Sequence, residues 1–158
     1  MAQTMLARNA VSAKMAECYI TIKGNRYNFM SAIDLTATFE KSKTEVPILG
    51  RMNRGNKAVG SKISGSAKFH MNTSIWREIA YNFQETGEDI YFDIQITNED
   101  ITASDIGRQT IILCDCNLDS TLLAAFDADS DDTLTEDIDF TAEYFELPEK
   151  FNVMDGMI

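Results

Sequence analysis

The chain has 158 residues, 44% hydrophobic and 25% charged, and its 14 Lys and Arg against 25 Asp and Glu give a formal net charge of −11. That length suits one domain with its own core, the apolar content argues against both wholesale disorder and a membrane span, and the acidity opposes stable attachment to a phosphate backbone. Three cysteines, Cys18, Cys114 and Cys116, form no disulfide framework, and the N-terminal stretch lacks the continuous apolar run of a secretory signal. Reduced thiols and synthesis in the cytoplasm are therefore expected.

Residues 1–16 lack a sustained period and read as an arm, mobile until something docks on its apolar Met5, Leu6 and Val11. The main β domain is expected over 17–151, with a short tail at 152–158. ECYITIKGNRYNFM predicts a hairpin turning at Lys23-Gly24-Asn25, where Gly and Asn supply positive φ. AIDLTATFEK then alternates, with Ile33, Leu35, Ala37 and Phe39 on one face. Residues 42–60 are basic and glycine-containing, and they predict a long loop holding the apolar quartet Val46, Pro47, Ile48 and Leu49. A loop of that length is uncommon in a compact domain and is usually functional.

Alternation returns in SKISGSAKFHM, residues 61–71. A helix follows to about Glu85, with Asn72, Thr73 or Ser74 as its cap, a stripe of Ile75, Trp76, Ile79, Ala80 and Phe83, and Gly87 as its stop. Ile90, Phe92, Ile94 and Ile96 mark the clearest strand, and further strands are expected at about 109–118, 120–128 and 134–146. The expected class is α+β, mainly β: a sandwich or barrel of about eight strands with one flanking helix.

The residues offer little chemistry. His70 falls on the polar side of a strand with no nucleophile paired to it by any local motif. Cys114 and Cys116, two apart on a strand, should share a face, but a zinc site would need more ligands than Cys18 and His70 provide. Asp127, Asp129 and Asp131 begin like a calcium loop, yet Asp132 stands where the turn glycine belongs and Ile138 where the bidentate glutamate belongs. Gly50 to Lys57 departs from a phosphate loop because Asn56 intervenes before the lysine and Ala58 replaces the hydroxyl residue. No cofactor, metal or enzymatic activity is expected. The cluster Arg51, Arg54, Lys57 and Lys62, with Lys41 and Lys43 before it, reads as a solvated loop, a nucleic-acid contact or a partner for an acidic patch on another copy, and the last is favoured.

From TEVPILGR onward, through TSIWREI, TGEDIYFDIQITNED, IGRQTIIL, NLDS and DIDFTAEYF, the sequence resembles the core tail tube protein of defective-prophage-type contractile tails and related bacteriocins. The likeness spans roughly residues 9–151. It implies a structural subunit whose hexameric rings stack into a hollow tube, pushed through a target envelope when the sheath contracts. It also implies sheath, baseplate and tape-measure partners, and DNA in the lumen only if the particle is an intact phage. Transferred by position, the resemblance implies that Glu45, Val46, Pro47, Ile48 and Leu49 form the apolar part of the ring-stacking contact and Arg51, Arg54 and Lys57 its charged part, with the N-terminal arm as a second candidate contact. Arg77 and Glu78 are expected to face outward to the sheath. The alternatives are a ring-forming relative, such as a secretion-system tube or tail terminator, and a calcium- or ligand-binding β-sandwich.

Overall fold

The computed structural model describes residues 3–158; Met1 and Ala2, the start of the predicted arm, lie outside the described residues. β1 (Ala16–Ile22) and β2 (Asn25–Asn28) form the first hairpin, with Ile22 opposite Asn25 and only Lys23 and Gly24 between them. Both turn residues take positive φ, +50° and +81°, as a two-residue turn that follows the strand twist requires.

The next two strands, β3 (Ala32–Val46) and β4 (Gly55–His70), are far longer than their periodicity suggests. The predicted loop at 42–60 is therefore mostly strand, with Ser42 opposite Gly60, Thr44 opposite Lys57 and Val46 opposite Gly55. Only 47–54 turns. The pattern hid this because the outer half of the hairpin lies exposed on both faces, so no face had to be apolar.

α1 (Ile75–Thr86) ends where expected, with Gly87 at φ +73° donating its N–H to the Phe83 carbonyl at 2.9 Å. Its start is looser, for Ser74 makes no side-chain capping bond and the Ile75 N–H donates to Thr73 Oγ1 at 3.4 Å. Trp76 and Ile79 are buried, whereas Phe83, counted in the apolar stripe, is exposed.

β5 (Tyr91–Glu99) leads through a short 3-10 turn, Ile101–Ala103, into β6 (Arg108–Thr121). The strands expected at 109–118 and 120–128 are thus a single strand followed by a loop at 122–134. Conversely, the strand expected at 134–146 divides at Glu143 into β7 (Thr135–Ala142) and β8 (Tyr144–Glu149). One merger and one split leave eight strands. Both corrections have the same origin: Leu122 to Phe126 are apolar without alternating, and Glu143 is a local break at which its N–H reaches the Cys114 carbonyl at 3.1 Å.

All pairings are antiparallel, in the order β2-β1-β5-β6-β7-β4-β3 with β8 also on β6. The sheet folds over because β6 gives β8 its first half and β7 its last residues. Ile20, Phe92 and Ile94 of one half thereby meet Phe69, Ile138 and Phe140 of the other, and Phe29 and Trp76 close the end. Four aromatic rings, Phe29, Phe69, Trp76 and Phe92, pack with centroids 5.3–5.7 Å apart.

Two backbone details shape this core. Asp115 has φ +51° and donates its N–H to Asp93 Oδ1 at 3.0 Å, forming a bulge that puts Leu113 and Cys116 opposite Ile94 and Phe92. Cys114 and Cys116 therefore do not share the core face, because the extra residue resets the alternation between them. All three thiols are free, and burial pushes Cys116 up to about 12 and Cys18 up to about 11, far from the reactive thiolate range. Gly65 lies under Phe140, and an added Cβ would come within 2.6 Å of that ring and 2.7 Å of the Thr36 carbonyl oxygen. Gly65→Ala should thus lower stability by about 1–3 kcal/mol, read as a lower urea midpoint at unchanged slope.

Candidate assembly surfaces

Beyond the pair Phe39 and Ile63, where β7 ends with Ala142 opposite Ile63, the β3–β4 hairpin continues without a strand neighbour among the described residues. At roughly 3.3 Å per residue, the stretch from Phe39 to Val46 reaches about 20 Å past the body. Its tip is a tight turn in which the Arg51 N–H donates to the Ile48 carbonyl at 3.2 Å and Gly50 takes φ +82°. Gly55 leaves room beside it for Ile48, whose Cδ1 lies 3.1 Å from where a Cβ would stand.

The expected contact residues are distributed along this hairpin. Glu45 and Val46 end β3, Pro47, Ile48, Leu49, Arg51 and Arg54 make the tip, and Lys57 lies on β4. Leu49 and Met52 are fully exposed, and Val46, Ile48 and Val59 are partly so, which is unusual for so many apolar side chains in one projection. Glu45 meets Arg54 at 3.7 Å and Glu40 meets Lys62 at 3.5 Å, both exposed pairs of small energetic weight. Among the described residues, Lys41, Lys43, Arg51 and Lys57 have no carboxylate partner in the subunit.

Arg77 departs from its expected outward position. Its Nη1 donates to Glu136, whose side chain is 0% exposed, and to the Leu122 carbonyl at 3.3 Å, while Nη2 donates to the Thr73 carbonyl. The residue count along the helix placed Arg77 opposite the apolar stripe, but a buried carboxylate draws it inward. Glu78 is exposed. His70 is exposed as well.

The arm meets the body near its end, where Ser12 bonds to Asp100. Asp100 accepts from the Ser12 N–H at 2.9 Å, the Thr102 N–H at 3.0 Å and the Thr102 hydroxyl at 2.6 Å. The Thr102 hydroxyl bond and the Ser12 amide hold the Asp100 carboxyl below its ordinary range, outweighing the opposing effect of burial. A depressed carboxylate favours the bonded form above the unfolded pKa, and that contribution is lost as pH falls through the folded value. In a pH titration followed by NMR, the Ser12 amide should therefore shift with a midpoint below about 3.9, that of free Asp.

Sequence reasoning carries a strand to about 128 and leaves only a short acidic turn before 134, whereas the whole of 122–134 is a loop. It exposes Leu123, Phe126 and Leu134 beside Asp127, Asp129, Asp131 and Asp132, and its local turns bond the Asp129 N–H to Asp127 Oδ1 at 3.1 Å and the Asp132 N–H to Ser130 Oγ at 3.1 Å. Among the described residues, no three His, Cys, Asp or Glu side chains converge to hold a metal ion. The paired alanines and the aspartate run, which break any period of two, are the signal that could have marked a loop here.

A family profile described as phage tail tube protein matches residues 3–149. The chain belongs to the phage tail tube protein family. In agreement, it is 33% identical over 146 residues to the phage-like element PBSX protein XkdM of Bacillus subtilis (strain 168), covering 92% of this chain and 95% of that protein. Two solved structures share the tail tube fold. The sheath-tube complex of the extracellular contractile injection system PVC, in its extended state, gives a TM-score of 0.63 at 13% identity, over 89% of this chain and 93% of that one. The SPP1 tail tube gives 0.61 at 6% identity, over 92% and 81%. The tail tube protein thus has a structural role in a tail or tail-like particle.

Proposed function

We propose that this chain is the repeating subunit of the inner tube of a contractile phage tail or phage-tail-like bacteriocin. Six copies close into a ring, rings stack into a hollow conduit, and the conduit is driven through a target envelope when the surrounding sheath contracts. The observation that carries this reading is the hairpin, which holds a row of exposed apolar and unpaired basic side chains about 20 Å beyond the core that folds the subunit. Such a projection has no use in an isolated monomer. Ring closure also gives the unpaired edges of β2 and β3 a partner on a neighbouring copy.

Sheath protein outside the tube, baseplate protein at one end and tape-measure protein within complete the proposed partners, with DNA in the lumen only where a head is present. Copies are made in the bacterial host cytoplasm before assembly. Negative-stain microscopy of the concentrated protein tests the reading: rings and tubes support it, isolated rings that never lengthen point to a tail-terminator-like relative, and monomers at every concentration contradict it.

A further inference from the structure

The subunit is charged oppositely at its two ends. β4 runs from Gly55 at the hairpin tip to His70, which pairs with Thr135 at the start of β7, and the loop at 122–134 joins that same end of β7 to the end of β6. The hairpin tip and this loop therefore lie at opposite poles of the sheet. Residues 40–62 carry Lys41, Lys43, Arg51, Arg54, Lys57 and Lys62 against only Glu40 and Glu45. Residues 122–134 carry four aspartates and no base.

Both ends also expose apolar side chains among their charges: Leu49 and Met52 at the hairpin, Leu123 and Phe126 on the loop. Among the described residues, no ion pair within the subunit uses any of the four aspartates, nor Lys41, Lys43, Arg51 or Lys57.

Resting on the tube reading above, we infer that the basic hairpin of one copy seats on the acidic loop 122–134 of a copy in the next ring. The contact is heterologous and joins each ring to the next along the axis, so it repeats without closing and gives a filament rather than a dimer. Apolar tips meet at its centre while opposite charges ring them, the arrangement in which desolvated contacts supply affinity and charges supply register. The same charges give the stack a direction, because hairpin against hairpin sets basic residues together and loop against loop sets aspartates together. The contact should weaken with salt, since most of its charges are exposed before docking.

Charge reversal tests the inference. Changing Arg51, Arg54 and Lys57 to Glu, or Asp127, Asp129, Asp131 and Asp132 to Lys, should each raise the concentration needed for tube growth at least about tenfold, with circular dichroism unchanged. Both sets reversed in one chain should restore growth. Wild-type tubes with a loop-reversed variant that lengthens equally well would overturn this inference and leave the tube reading intact, as would failure of the combined reversal to restore growth. Absence of tubes from the wild type would instead overturn the tube reading and this inference with it. A second measurement does not depend on the reversed variants folding: Arg54→Cys with Asp129→Cys, oxidised in assembled tubes, should give a ladder of linked chains on a non-reducing gel. Uncrosslinked chains from intact tubes would overturn the pairing.

Discussion

Replacing Ile48 and Leu49 with Asp is expected to abolish tube growth while leaving the subunit folded. Leu49 is fully exposed and Ile48 is 39% exposed beside Gly55 at the far end of the hairpin, away from the core, so the cost to the isolated fold should stay within about 1 kcal/mol. In the assembled tube the same positions would be covered. Two carboxylates would then be desolvated without a partner at the centre of a contact, where a single poor residue commonly costs about 2 kcal/mol or more. Because every copy in a ring carries the defect, the losses compound. Thermal melts that match the wild type together with sedimentation as small species would meet the expectation. A variant that still grows long tubes would place the stacking contact elsewhere.

Arg77→Ala should destabilise the subunit by about 3–5 kcal/mol, the usual effect of leaving a buried carboxylate without its cation. Glu136 is fully buried on the core side of β7, opposite Phe69, and Arg77 is the cation that meets it. The guanidinium does more than neutralise charge. Its bonds to the Thr73 and Leu122 carbonyls tie the approach to α1 and the exit of β6 to the same point. With total stabilities of about 5–15 kcal/mol, a loss of this size lowers the melting midpoint on the order of 10 °C in a chain of this length. Arg77→Met combined with Glu136→Leu should recover much of the loss, because apolar replacement of both partners removes the stranded charge. Equal losses in the single and double variants would show that packing, not charge, dominates there.

Legibility in the sequence followed burial. Strands with one buried face, such as β5 with Phe92, Ile94 and Ile96, could be read from alternation alone, and α1 could be read from Trp76, Ile79 and the Gly87 stop. The outer hairpin could not, because Ser42 to Gly60 are exposed on both sides and their pairing depends on register rather than on an apolar face. The bulge at Asp115 escaped for a related reason: a positive φ at a non-glycine residue leaves no mark in composition, yet it decides which cysteine enters the core. Arg77 was misplaced because helical spacing names a face without naming what waits on it. The candidate contact residues 45–57 were legible only as a charged, apolar cluster, and the structure adds that they occupy the end of a long hairpin at the pole opposite an acidic loop.

Cryo-electron microscopy of filaments assembled from the purified chain tests the central claim most directly. A hollow tube of stacked six-membered rings, with the 47–54 turn of each copy lying against the neighbouring ring, is the result predicted. Filaments in which that turn projects free into solvent, or a chain that stays monomeric under every assembly condition, would contradict it.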